Sequence, residues 1–215
     1  MAISKPILGT TAALGAAGTG ALAYKFGAFE GKETPITVKQ QLKEKGYELI
    51  GESKNARDQW KTSFNAFKSD STFLTEINKH TENNEALTKD DNGEKGKAAL
   101  EKLCSSYLEG SDSFGNASKW CVLRIQDKSP TKGWLPLVDG GDQATANQGK
   151  WKASFNKHKS SLSSANIAGI ITSTTEDDGY VKLKEWCSTS LALPFNKERQ
   201  SIFENASSWC SESTD

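Results

Sequence analysis

One eight-residue motif occurs twice in the sequence and relates two parts of the chain to each other. The segment from Phe114 to Cys121 reads FGNASKWC, and the segment from Phe203 to Cys210 reads FENASSWC. In a helix the Phe, Ala, Trp and Cys of each copy fall at i, i+3, i+6 and i+7, which places them on one apolar face. The motif therefore predicts, in each part of the chain, a helix whose cysteine faces inward.

Two further pairs of segments extend the repeat and keep the same order. A WKxSFN motif begins at Trp60 and returns at Trp151, 91 residues later. Between this motif and the terminal one, a second apolar helical face carries another cysteine, Cys104 in one part and Cys187 in the other. Self-similarity of this kind is typical of a duplicated structural unit. The sequence thus predicts a mainly α-helical fold built as a tandem duplication of a small unit, with about three helices in each copy.

The composition divides the chain into four segments. In order, they are an apolar signal or membrane anchor (1–24), a polar spacer (25–36), the first helical repeat unit (37–123) and the second (124–215). Thr37 is placed to cap a short helix that starts the first unit, and Gly46 to end it. The Trp60 and Trp151 motifs predict core helices over roughly 55–69 and 146–160.

The N-terminal stretch 7–24 has no charge and is rich in Ala, Gly and Thr. As a helix, 18 residues would reach about 27 Å, close to the thickness of a hydrocarbon core. The residues Ala21-Leu22-Ala23 have the small-x-small form that signal peptidase cleaves. We therefore expect an N-terminal apolar helix that is either retained as a membrane anchor or removed by cleavage after Ala23.

The four cysteines allow three pairings, and the repeat favours one of them. Equivalent positions in two copies should form equivalent bonds, which pairs Cys104 with Cys121 and Cys187 with Cys210. Such bonds persist in an oxidising compartment, in agreement with an export-like N-terminus. The alternative is that all four are reduced, buried thiols of a cytosolic helical protein.

The sequence predicts no catalytic, cofactor-binding or metal-binding residues. It contains no nucleophile elbow, HExxH motif, phosphate-binding glycine loop or kinase signature. The two histidines, His80 and His158, do not occupy equivalent repeat positions, and no CxxC spacing is present. With 27 basic and 27 acidic residues and no basic, aromatic-rich window, nucleic acid is not an expected partner.

A long polar segment follows each tryptophan helix. Thr81 to Lys97 and Ser160 to Gly179 are predicted to be surface loops, and loops of this length are either functional or mobile. The adjacent acids Glu176, Asp177 and Asp178 are predicted to lie in a surface turn rather than in a catalytic site.

The combined pattern resembles paralogous families of surface-associated proteins of haemotropic mycoplasmas, which have no assigned activity. The residues that carry the resemblance are Lys43 to Tyr47, Trp60, Leu100 to Cys104 and Trp120-Cys121, with Trp134, Trp151, Cys187 and Trp209-Cys210 in the second copy. The resemblance implies membrane association, exposure to the host and a part in antigenic variation. Because no cysteine precedes Cys104, attachment would depend on the stretch 7–24 and not on a lipid.

From these observations we expect an exported helical surface protein, anchored in the cell membrane and exposed to the outside, or secreted. Its partner would be a host-cell surface protein or a serum protein, contacted through Thr81 to Lys97 and Ser160 to Gly179. The alternative is a structural or scaffolding protein of the bacterial membrane that has no host ligand and forms homotypic contacts through its Trp and Phe stripes. Neither of these hypotheses includes an enzymatic activity, and an enzyme of unrecognised type, without a local sequence signature, is the third hypothesis.

Overall fold

The computed structural model describes residues 35–52, 56–82, 85–128, 130, 133–138 and 143–212. The predicted N-terminal helix and most of the polar spacer lie outside these residues. Pro35–Asp215 form one compact unit. In its described part the fold is mainly α-helical, as predicted, and β-structure is limited to isolated bridges.

Eight α-helices are present in the described residues. In chain order they are α1 (Val38–Glu44), α2 (Ala56–Phe67), α3 (Ser71–Ile77), α4 (Glu94–Glu109), α5 (Phe114–Trp120), α6 (Ala144–Ser164), α7 (Glu176–Leu191) and α8 (Gln200–Trp209). Five of them precede residue 121 and three follow residue 143, so the expectation of about three helices per unit fits the second part and undercounts the first.

The first helix has the predicted caps. The Thr37 hydroxyl accepts a hydrogen bond from the backbone N–H of Gln40 at 3.3 Å, and the Gln40 side chain accepts one from the backbone N–H of Thr37 at 2.9 Å. This reciprocal pair satisfies two donors that a helix leaves open at its start. Gly46, with φ of +75°, ends the helical segment as expected.

The two tryptophan helices are confirmed as core helices. Trp60 and Phe64 of α2, and Trp151 and Phe155 of α6, are all buried, and His158 is half-buried at the end of the same face. The second helix is longer than expected and continues to Ser164, with Leu162 buried near its end.

The short helix α3 was not predicted. Asp70 interrupts the chain after α2, and its carboxylate accepts hydrogen bonds from the backbone N–H groups of Thr72 and Phe73 at 2.9 and 3.3 Å. The new helix then buries Phe73 and Ile77 in the first core. The N-cap residue Asp70 therefore starts a new helix. The first part has two helices here, α2 and α3, whereas the second part has the single long helix α6.

Two apolar clusters form the core, one on each side of residue 124. The first gathers buried side chains from Val38 to Leu123, and the second gathers buried side chains from Ile125 to Cys210. Between them, the backbone of 123–125 pairs with that of 193–195 through hydrogen bonds from Ile125 N to Leu193 O at 2.9 Å and from Phe195 N to Leu123 O at 2.7 Å. The junction is thus a two-segment antiparallel contact.

Charged groups complete this junction. The guanidinium of Arg124 lies 3.1 Å from the carboxylate of Asp127, and the two side chains are only 3% and 7% exposed. The Lys128 ammonium lies 2.7 Å from the carboxylate of Glu48 in the first part. The same ammonium lies 4.7 Å from the centre of the Phe195 ring. Buried ion pairs of this kind require both partners, because removal of one leaves an uncompensated charge.

The predicted surface loops are shorter than expected. Helix α4 already begins at Glu94, α6 extends to Ser164 and α7 begins at Glu176, so the connections are 81–93 and 165–175. The acids that we expected in a turn form the first turn of α7, where negative charge is favourable at a helix N-terminus. Thr175 caps this helix by accepting a hydrogen bond from the backbone N–H of Asp178 at 3.3 Å.

Candidate binding surface

The four cysteines form the two disulfide bonds that the repeat predicts. Cys104 of α4 is bonded to Cys121 directly after α5, and Cys187 of α7 is bonded to Cys210 directly after α8. All four residues are fully buried. Each bond joins two helices of one core, and neither sulfur pair is exposed for redox exchange.

The apolar half of the WKxSFN motif builds the core. Phe64 packs against Gly96 of α4, and Phe155 packs against Gly179 of α7, so closely that a Cβ on either glycine would overlap the ring. Sequence reasoning missed these two glycines, which it placed in surface loops. The available signal was their spacing, because each glycine lies eight residues before the first cysteine of its part.

The motif serine ties the tryptophan helix to the terminal WC motif. The Ser63 hydroxyl donates to the carbonyl oxygen of Trp120 at 3.4 Å, and the Ser154 hydroxyl donates to that of Trp209 at 2.6 Å. Both serines are buried. The hydroxyl therefore satisfies a carbonyl that the end of a helix leaves open.

The motif lysine holds the first turn of the helix that carries the first cysteine of its part, α4 or α7. Lys61 lies 2.5 Å from Glu94 of α4, and Lys152 lies 2.5 Å from Asp177 of α7. Hydrogen bonds from Lys61 and then Lys97 lower the pKa of Glu94 to about 2. The hydrogen bond to Asp177 in turn raises the pKa of Lys152. These acids are therefore ion-pair partners in the folded protein, and their geometry does not indicate a proton-transfer role.

Hydrogen bonds from neighbouring helices hold the connection 81–93 at Leu87 and Asp91. The Asn78 side chain accepts from the backbone N–H of Leu87 at 2.7 Å and donates to its carbonyl at 3.1 Å, while the Leu87 side chain is buried. Lys68 donates to the carbonyl of Asp91 at 2.6 Å. The backbone held in this way around Leu87 and Asp91 would lose little conformational entropy on binding a partner.

A groove of about 210 Å³ lies between this connection and α4. Leu87 and Ala99 line its apolar side, and ion pairs cross it from Glu82 to Lys102 at 2.7 Å and from Glu85 to Lys95. The surface presented here is therefore strongly charged, with each of these acids already matched by a lysine.

The connection 165–175 has the opposite chemistry, since it contains no charged residue. Ile167 and Ile170 are buried anchors, whereas Ile171 is 61% exposed. Lys182 donates to the carbonyl of Gly169 at 2.9 Å, and the Thr174 hydroxyl accepts from the backbone N–H of Ile171 at 2.8 Å. The structure therefore presents an apolar side chain on a fixed backbone with hydroxyl groups around it.

Two further grooves lie at corresponding positions on the helices. One, of about 390 Å³, is lined by residues of α2 and α4 that include Arg57, Lys97 and Glu101. The other, of about 270 Å³, is lined by residues of α6 and α7 that include Gln148, Tyr180, Val181 and Lys184. Arg57 and Gln148 each lie three residues before the motif tryptophan, so the same helical positions carry different surface chemistry in the two parts.

The histidines are not brought together. His80 lines the charged groove, and His158 lies on α6, where burial and then the charge of Lys157 lower its pKa. Among the residues that the structure describes, no group of three or more His, Cys, Asp or Glu side chains is arranged to hold a metal ion. The helices in the described ranges are each too short or too polar to cross a membrane, and the stretch 7–24 lies outside those ranges.

Comparisons of the chain with protein-family models, with curated proteins and with solved structures found no match, so its function has to be inferred from its own residues.

Proposed function

We propose that this chain is an exported helical protein that presents its two connections, 81–93 and 165–175, to a host protein outside the cell. The stretch 7–24 would direct export and would either remain as the anchor or be cleaved after Ala23. The observation that supports export most directly is the pair of disulfide bonds, because such bonds are rare in a reducing cytosol.

The proposal includes a tandem duplication in which the cores were kept and the surfaces changed. Corresponding residues make corresponding contacts, including Phe to Gly, Ser to the carbonyl of Trp, and Lys to a first-turn acid of the helix that carries the first cysteine. The two connections, in contrast, differ in charge, since 81–93 contains charged residues and 165–175 contains none. A scaffold that conserves its core and varies its exposed loops is well suited to binding.

A scaffolding role in the bacterial membrane is the alternative function. This role would use the Trp and Phe stripes for homotypic contacts. These stripes face the two cores, and their side chains are buried, namely Trp60, Phe64, Trp151 and Phe155. Homotypic association would therefore have to use other surfaces. No observation in the described residues favours this role over presentation to a partner.

The thiol state in the producing cell tests the proposed export. Cells are quenched in acid, unfolded in denaturant with an alkylating agent, then reduced and alkylated with a second, isotopically distinct agent. Unfolding before the first label is essential, because all four cysteines are buried and would resist labelling even if they were reduced.

We expect all four cysteines to carry the second label. A cytosolic protein with free thiols, mapped in the same sample, must carry the first label and serves as the control. Finding the first label on Cys104, Cys121, Cys187 and Cys210 would contradict export. Protease treatment of intact cells that leaves the chain whole, while known surface proteins are digested, would contradict exposure to the outside.

A further inference from the structure

We propose that Asn92 is a site of spontaneous deamidation, created by the Asn92-Gly93 pair where the connection 81–93 meets α4. Asn92 is exposed, and Gly93 is the N-cap of α4 with φ of +86°. This inference concerns the chemistry of the chain itself and does not depend on a partner or on export.

A hydrogen bond orders the Asn92 side chain beside the peptide that would react. The Asn92 side-chain oxygen accepts a hydrogen bond from the backbone N–H of Glu94 at 3.0 Å. This arrangement folds the side chain back along the Asn92-Gly93 peptide, towards the backbone nitrogen of Gly93. Gly93 has no Cβ of its own to hinder ring closure between that nitrogen and the Asn92 Cγ, although the side chains of Asn65 and Lys61 pack against this glycine.

The same hydrogen bond favours the transition state electrostatically. Attack on the Asn92 amide places negative charge on Oδ1, and this oxygen already faces the N–H group of Glu94. Glu94 is the first residue of the 16-residue helix α4, whose N-terminal end carries a partial positive charge. A donor aimed at the atom where charge develops stabilises the transition state more than the ground state.

The reaction needs only water. The Gly93 nitrogen gives its proton to hydroxide and bonds to the Asn92 Cγ, after which the bond from Cγ to Nδ2 breaks and the amide leaves as ammonia, taking a proton from water. One water molecule then opens the succinimide. Hydrolysis at Cγ gives aspartate, and hydrolysis at the main-chain carbonyl gives isoaspartate. The net change is the uptake of one water and the release of one ammonia.

Both products alter the connection 81–93. Either one adds a negative charge beside Asp91 and Glu94. Isoaspartate also inserts a methylene group into the main chain at the point where Asn65 contacts the Asn92 carbonyl at 3.5 Å and Lys68 holds the Asp91 carbonyl at 2.6 Å. The modified chain would therefore present a different loop from the one first synthesised.

The experiment is a time course on the folded, purified protein at neutral pH, read by peptide mapping for a mass gain of one unit and by enzymatic labelling of isoaspartate. Asn166 is the internal control, since it is also exposed but is followed by Ile167, whose branched Cβ hinders attack. We expect Asn92 to convert several-fold faster than Asn166, with isoaspartate among the products. Equal rates at the two sites would overturn the proposal.

Two further samples separate the effect of the Asn-Gly sequence on the deamidation rate from the effect of the folded structure. The variant Asn92→Ser keeps an oxygen acceptor for the Glu94 N–H but has no amide, and we expect it to lose the mass gain while keeping the same unfolding midpoint. Wild-type protein unfolded in urea reports the rate of the bare Asn-Gly pair. If Asn92 converts in urea but not in the folded protein, the fold protects the site and the proposal is wrong.

Discussion

Each tryptophan helix places a phenylalanine ring against a helical glycine of the neighbouring helix. At Gly96 and at Gly179 the space that a methyl group would need is already filled by the ring of Phe64 or Phe155. Close-packed interiors respond poorly to an added methylene, because the neighbours must leave their preferred rotamers. These glycines are therefore required for close helix packing, and the requirement is steric.

We predict that Gly96→Ala and Gly179→Ala each lower the free energy of unfolding by about 1–3 kcal/mol, as overpacking does in well-packed cores. Gly149→Ala is the matched control, since it lies in α6 with no atom within 4 Å of a new Cβ. The control should raise stability by about 0.5–1 kcal/mol through helix propensity alone. Urea unfolding measures all three, and a neutral effect at Gly96 would mean that Phe64 can move aside.

The ion-paired carboxylate of Glu94 predicts that the stability of the fold depends on pH. Its pKa is lowered from an ordinary value of 4.5 to about 2 by hydrogen bonds from Lys61 and Lys97. A group whose pKa is lower in the folded state stabilises the fold above its unfolded pKa. The contribution of Glu94 should therefore be complete above about pH 4.5 and be lost as the pH falls towards 2.

Lys61→Met should move the pKa of Glu94 back towards its ordinary value, because it removes the largest cause of the shift. Titration of the side-chain carboxyl carbon by NMR measures this change directly. Lys79→Met, which removes an ion pair to Glu76 elsewhere on the surface, is the control and should leave Glu94 unaffected. An unchanged titration of Glu94 in Lys61→Met would show that the ion pair is not populated in solution.

At the scale of helices, each disulfide links two helices of one part of the chain. It joins α4 to Cys121 at the end of α5 in the first part, and α7 to Cys210 at the end of α8 in the second. The bonds close loops of 17 and 23 residues, and both lie in the core. Loss of chain entropy in the unfolded state stabilises such a structure by roughly 3 kcal/mol for loops of this size. The two parts of the chain therefore gain similar stabilisation from their cross-links.

We predict that the double variants Cys104→Ala/Cys121→Ala and Cys187→Ala/Cys210→Ala each lose about 3 kcal/mol of unfolding free energy. Denaturant unfolding of each double variant against wild type measures the loss. In the wild type, reduction by a thiol should be slow until the protein is partly unfolded, because all four cysteines are buried. Rapid reduction under native conditions would contradict the packing described here.

For the whole molecule, the junction at 123–125 decides whether the two cores unfold together. The backbone pairing with 193–195 and the buried pair of Arg124 and Asp127 connect the two apolar clusters. We expect hydrogen exchange of α2 and α6 amides to report one common unfolding transition. Two separate transitions would mean that the junction does not couple the cores.

We predict that Asp127→Ala lowers the free energy of unfolding by about 3–5 kcal/mol, because it leaves the Arg124 guanidinium buried without a counter-charge. Lys79→Ala removes an exposed ion pair and should change stability by no more than about 1 kcal/mol. Thermal and urea unfolding of both variants provide the comparison. A small effect at Asp127 would show that Arg124 can reach solvent in the variant.

The sequence by itself was sufficient to predict the helical class, the two core tryptophan helices, the capped helix at Thr37 and the pairing of the four cysteines. These features depend on local periodicity and on a repeat that is visible along the chain. The ends of the connections 81–93 and 165–175 were predicted less well. A glycine among charged residues resembles a loop in sequence, whereas at Gly96 and Gly179 it permits a helix to approach a ring.

Only the tertiary structure decided how the two parts are joined and what each connection presents. The burial of Arg124 with Asp127 depends on contacts between segments about 70 residues apart, at 123–125 and 193–195. The exposure of Ile171 beside two buried isoleucines depends equally on the packing beneath it. Local sequence determines which helices and covalent links can form, but burial of a given side chain is set by distant parts of the chain that pack over it.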